Sequence, residues 1–79
     1  MNVRVLFFGA TADLAGEREK DLALADSATV SDVLANITNS NVRFWNHKLL
    51  IAVNQEYVSR DTKLKEGDEL AIFTPVSGG

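Results

Sequence analysis

The chain of 79 residues contains no cysteine, a single proline and a single histidine. Without cysteine it has no disulfide framework, no thiolate nucleophile and no thiolate-ligated metal site, so any sulfur it handles must be attached to another group. Charge of one sign is also scarce. Eight Lys and Arg stand against eleven Asp and Glu, giving a net charge of -3 and a pI near 4.9. The basic residues are scattered rather than clustered, which argues against nucleic acid and favours a partner with a basic surface. Long hydrophobic runs are missing too. Val5-Leu6-Phe7-Phe8 falls short of the roughly 7 to 15 apolar residues of a signal core and of the ~20 residues of a membrane span. Ala10-Thr11-Ala12 only imitates a cleavage site, so the start reads as mature, cytoplasmic sequence with no membrane association. With 46% hydrophobic and 24% charged residues, the composition is that of an ordinary globular chain rather than a disordered one. Its length fits one small domain over residues 1–79 with a thin core.

What is present is most informative at the C-terminus. Gly78-Gly79 follows the apolar run Leu70-Ala71-Ile72-Phe73, with only Thr74-Pro75-Val76-Ser77 between them. Two residues without a Cβ can pass through a channel too narrow for a side chain, which makes 74–79 a flexible tail ending in a slender carboxylate. That carboxylate, with a pKa of about 3.5, is ionised at neutral pH and resists nucleophiles. Chemistry there requires activation, most simply as an acyl-adenylate formed from ATP. Taken alone, the tail reads better as a frayed end, because terminal residues are commonly small and disordered.

Periodicity supplies the rest of the fold. Val3, Val5 and Phe7 alternate with Arg4, Leu6 and Phe8, a strand apolar on both faces and therefore central. Gly9 ends it, and Thr11 to Gly16 reads as a helical turn with Thr11 as its cap. A second strand is expected over Lys20 to Ala25, with Leu22 and Leu24 on one face. Val30, Val33, Leu34 and Ile37 form one apolar stripe of a helix beginning at Thr29, where Thr29 and Asp32 resemble a capping box. Asn39-Ser40-Asn41 stops that helix, and 39–48 has no assignable periodicity. Leu49 to Val53 and Glu56 to Val58 form a hairpin about Asn54-Gln55. Leu64 plugs the core, Gly67 supplies a turn, and Glu69 to Phe73 is the last strand. One amphipathic helix across a mixed sheet of four to five strands gives an α+β roll of the ubiquitin type.

The stretches Val3-Arg4-Val5-Leu6-Phe7-Phe8-Gly9, Thr29-Val30, Leu49-Leu50-Ile51-Ala52-Val53-Asn54-Gln55, Glu66-Gly67-Asp68-Glu69 and Pro75-Val76-Ser77-Gly78-Gly79, in this order and at this length, resemble the ubiquitin-like β-grasp sulfur carriers. The similarity is greatest to the small subunits of molybdopterin synthase and spans essentially the whole chain. One departure is Thr74, which stands where the family often has the first of two prolines. Pro75 still holds Thr74 extended.

The resemblance implies that Gly79 is adenylated by an ATP-dependent adenylyltransferase and converted to a thiocarboxylate, a covalent 1-thioglycine, by a sulfur donor protein. The tail would then enter the large synthase subunit, in a heterotetramer of two small and two large subunits, and donate sulfur for the molybdopterin dithiolene. On this reading the chain binds no cofactor or metal and is not catalytic alone. Gly78 and Gly79 are the reactive end. Phe73, pointing outward beside the tail, forms the partner-binding surface with Pro75, Val76, Phe8, Leu6 and Ala52. Other pathways open to such a carrier are thiamine, cysteine or transfer-RNA thiolation, and a different class of function is a protein modifier joined to lysines.

Other candidates read as structural. His47 has no Cys or second His at ligand spacing, Trp45 reads as a core cover, and Glu66, Asp68 and Glu69 read as a solvated turn rather than a cation site. The lone histidine has no neighbours that would make a Ser/His/Asp arrangement.

Overall fold

The structure of the protein is a computed structural model that describes residues 1–44 and 48–75. The expectations for Trp45, His47, Val76, Gly78 and Gly79 lie outside the described residues. In chain order the elements are β1 (Asn2–Phe7), α1 (Ala10–Ala15), β2 (Glu19–Ala23), α2 (Val30–Ser40), a 3₁₀ turn at Val42–Phe44, β3 (Leu50–Val53), β4 (Glu56–Tyr57) and β5 (Glu69–Phe73). The five strands make one mixed sheet in the order β2-β1-β5-β3-β4. Only β1 and β5 run parallel; the other neighbours are antiparallel. α2 carries the chain from one side of the sheet to the other, and its apolar stripe closes the core. This is the ubiquitin-like β-grasp roll expected from the sequence.

Alternation along the strands determines which side is filled. Val3, Val5 and Phe7 of β1, Leu22 of β2, Ile51 of β3, and Leu70 and Ile72 of β5 face Val30, Val33, Leu34 and Ile37 of α2, all of them buried. Phe44, from the 3₁₀ turn, and Leu64 complete this cluster, and the Phe44 ring lies 6.1 Å from that of Phe7. α2 is capped as its sequence suggests: the Thr29 amide donates to the Asp32 carboxylate at 2.8 Å, satisfying a donor that the helix leaves open.

Two local expectations are corrected, and the expected turn at Asn54-Gln55 gains its geometry. Thr11 is not the cap of α1; the helix starts at Ala10 behind Gly9, and Thr11 lies inside it, fully buried. Gly9 takes the capping position because its φ of 58° and ψ of -126° are open to glycine alone. β2 ends at Ala23, so Leu24 packs against the core from beyond the strand. The β3–β4 turn has positive φ at two non-glycine residues, Asn54 (49°) and Gln55 (73°), the geometry of a two-residue type I′ hairpin. Asn54 repays its conformation through its side chain, which donates to Asp68 Oδ1 at 3.0 Å and accepts the Glu69 amide at 3.1 Å. Among the described residues no helix is long and apolar enough to cross a membrane.

Candidate partner-docking face

The sheet face away from α2 is built by register. Leu6 of β1 pairs with Ala71 of β5, Ala71 with Ala52 of β3, and Ala52 with Tyr57 of β4, so these four side chains form one row across the sheet. The next row toward the end of β5 joins Phe73 to Leu50. Alanines at the centre make a shallow floor between larger groups. The Tyr57 ring stands edge-on to Phe73 at 5.7 Å and 67°, a favoured aromatic arrangement, and Tyr57 is 73% exposed.

Beyond the end of β1 the backbone turns sharply at Gly9 and leaves Phe8 51% exposed. Phe8, Gly9 and Ala10 form one wall and Ala71, Phe73 and Thr74 the other of an apolar groove of about 350 Å³. The groove reaches Thr74, at the described root of the tail. Apolar groups of this size, contiguous and open to solvent, are the material of a protein-docking surface.

Of the residues singled out in the sequence, Phe73, Leu6, Phe8 and Ala52 come together on this face, and Pro75 is exposed beside it. Ala52 is only 7% exposed, so it floors the face while its neighbours present the reachable surface. Tyr57, Leu50 and Ala71 were not singled out. The signal for them was present: once Phe73 is placed outward, a two-residue turn at Asn54-Gln55 puts Leu50, Ala52 and Tyr57 on the same side.

Charge borders the apolar rows on the β2 side. Arg4 Nε lies 3.5 Å from Asp21 and 3.9 Å from Glu19, with all three side chains well exposed, and Glu69 is the register partner of Arg4. Such pairs add little stability in water. Three carboxylates around one guanidinium leave this rim negative, the complement of a basic partner.

Asp68 of the acidic turn is buried and engaged inside the fold, accepting the Lys65 amide at 2.8 Å and the Asn54 side-chain amide at 3.0 Å. Among the described residues no group of three or more His, Cys, Asp and Glu is arranged to hold a metal ion.

The chain is similar to known proteins over its full length. Residues 5–79 match the ThiS family. The chain is 40% identical to the molybdopterin synthase sulfur carrier subunit of Escherichia coli K12 over 98% of its own length and 99% of the relative's. It is 39% identical to the protein of the same name from Chlamydomonas reinhardtii, over the whole of both chains. Among solved structures, a Pyrococcus furiosus protein described as molybdopterin converting factor subunit 1 superposes with a TM-score of 0.90 at 32% identity, covering 96% of this chain and 99% of that one. A chain of the Helicobacter pylori complex of subunits 1 and 2 of the molybdopterin-converting factor superposes with a TM-score of 0.70 at 28% identity, over the full length of both. On a family match that runs to the last residue and on full-length relatives of this similarity, the chain belongs to the ThiS family.

Proposed function

We propose that the protein is the sulfur carrier subunit of a molybdopterin synthase. The observation that supports this most strongly is its full-length similarity to sulfur carrier subunits of that enzyme, including the Gly78-Gly79 end within the matched span. The Gly79 carboxylate attacks the α-phosphate of ATP on an adenylating enzyme, forming an acyl-adenylate and releasing pyrophosphate. A hydrosulfide equivalent from a sulfur donor protein then forms the C–S bond as the C–O bond to AMP breaks. AMP departs, the proton goes to solvent, and a thiocarboxylate is left on Gly79.

The charged tail enters the large subunit and donates its sulfur to a cyclic pterin monophosphate, with water restoring the Gly79 carboxylate. A dithiolene holds two sulfurs, so each product consumes two charged chains. Threading the tail into the partner places the nucleophilic sulfur beside bound substrate and replaces a bimolecular encounter with a positioned one. The groups that bind phosphate and move protons belong to the large subunit. The carrier contributes an apolar face for docking, Phe73, Tyr57, Leu6 and Phe8, and a tail that departs from its edge.

Reconstitution decides between this function and protein modification. Thiocarboxylated chain, large subunit and the cyclic pterin are expected to yield dithiolene-bearing product. A ladder of lysine conjugates on denaturing gels, with no pterin thiolation, would assign the chain to the modifiers instead.

A further inference from the structure

Thr11 and Asp68 are the polar side chains buried among the described residues. Asp68 is accounted for by the turn it closes, whereas Thr11 sits behind the root of the tail and has no part in the docking face. Its hydroxyl accepts the Phe8 amide at 2.9 Å and has two carbonyls in reach of its one proton, Ile72 at 2.7 Å and Phe8 at 2.8 Å. The Ile72 carbonyl also accepts the Phe8 amide at 3.2 Å. One side chain thus ties together the end of β1, the start of α1 and the end of β5.

The position of this knot matters for the tail. The parallel β1–β5 ladder ends at the pair Phe7 and Ile72. Its next rung would run from the Thr74 amide to the Phe8 carbonyl, but that carbonyl instead receives the Thr11 amide at 3.2 Å and faces the Thr11 hydroxyl. α1 therefore takes the acceptor that a continuing strand would use, and β5 ends at Phe73, with Thr74 outside the ladder. The hydroxyl anchors the Ile72 carbonyl, in the peptide group that leads into Phe73 and two residues before Thr74.

We infer that Thr11 is a positioning residue for sulfur transfer: its buried hydroxyl sets where, and in which direction, the tail leaves the sheet relative to the docking face. This rests on the carrier function proposed above. A residue that acts only on stability would lower the melting temperature and leave the transfer rate of the folded, bound chain untouched. Removing a hydrogen bond that aims the reacting end lowers that rate, because small displacements of reacting groups are costly.

The test compares Thr11→Val, which keeps the shape and loses the hydroxyl, with Thr11→Ser, which keeps the hydroxyl. Each is made as the C-terminal thiocarboxylate, saturated with large subunit, and followed through a single turnover on cyclic pterin monophosphate at a temperature where it is folded. Thr11→Val is expected to slow transfer about tenfold, the equivalent of one buried hydrogen bond, with Thr11→Ser near wild type and dissociation constants for the large subunit within about twofold of each other. Should Thr11→Val fail to fold, Thr11→Ser against Thr11→Ala isolates the same hydroxyl. Equal transfer rates with only a lowered melting temperature would overturn the inference. If wild type itself transfers no sulfur, the carrier function fails. The geometric claim is then decided by amide exchange in the free chain, where faster exchange at Phe8 and altered signals at Phe73 and Thr74 in Thr11→Val support it and unchanged ones refute it.

Discussion

Ile72 and Phe73 are adjacent in sequence and lie on opposite faces of β5, so truncating each separates stability from docking. Ile72 is 0% exposed and opposite Ile51 in the core. Ile72→Ala leaves a cavity in a domain with little core to spare, at a cost of about 2 to 5 kcal/mol. At roughly 4 to 8 °C per kcal/mol for a domain of this size, the melting temperature should fall by about 8 to 40 °C. Phe73 is partly exposed, and within the fold its ring has Tyr57 as an edge-on partner at 5.7 Å. Losing that pair is expected to cost about 0.5 to 1.5 kcal/mol, the range for such aromatic contacts. At the centre of an interface, however, a truncated aromatic costs about 2 kcal/mol or more, a roughly 30-fold weaker complex. Calorimetric unfolding and a binding titration against the large subunit on both variants measure the two effects. A Phe73→Ala chain that binds like wild type, or that loses more stability than Ile72→Ala, would refute the placement of the docking face.

Three further outcomes follow from local geometry. Gln55→Gly should raise the urea midpoint with the m-value unchanged, a gain of about 0.5 to 1 kcal/mol, because glycine removes the left-handed cost at a φ of 73°; a lowered midpoint would contradict the type I′ assignment. The Ser59 hydroxyl, and after it the Asp61 backbone amide, hold the exposed Asp61 carboxyl below its ordinary range. A lowered folded pKa means that this contribution is present above the unfolded pKa and disappears as pH falls through the folded one. Ser59→Ala should therefore raise the Asp61 pKa in an NMR titration, and an unmoved curve would contradict the cause. Removing Gly79 should abolish sulfur transfer with thermal unfolding close to wild type, and a truncated chain that still supports pterin thiolation would contradict the role of the terminus.

The parts of the fold legible in the sequence are those governed by local periodicity. The two-residue alternation of Val3, Val5 and Phe7, and of Leu70 and Ile72, identified both the strands and their buried faces. The stripe Val30, Val33, Leu34 and Ile37 with Asp32 identified α2 and its cap. Sheet order was less accessible, since the neighbouring of β1 and β5 joins opposite ends of the chain and leaves no local trace. Thr11 was misread because a hydroxyl ahead of an Ala-rich turn has the signature of a cap, whereas its partner is a carbonyl 61 residues away. In the candidate site, Phe73, Leu6, Phe8 and Ala52 were found by alternation. Tyr57 was missed although the turn at Asn54-Gln55 was expected, because its face follows from the hairpin register that sets it opposite Ala52 and not from alternation within a two-residue strand.

The proposed function stands on conversion of the Gly79 carboxylate to a thiocarboxylate. The direct measurement is the intact mass of the chain after incubation with the adenylating enzyme, ATP and a sulfide source. A gain equal to the replacement of one oxygen by sulfur is expected, localised to the C-terminal peptide and absent without ATP. An unchanged mass, under conditions that charge an established carrier, would contradict it.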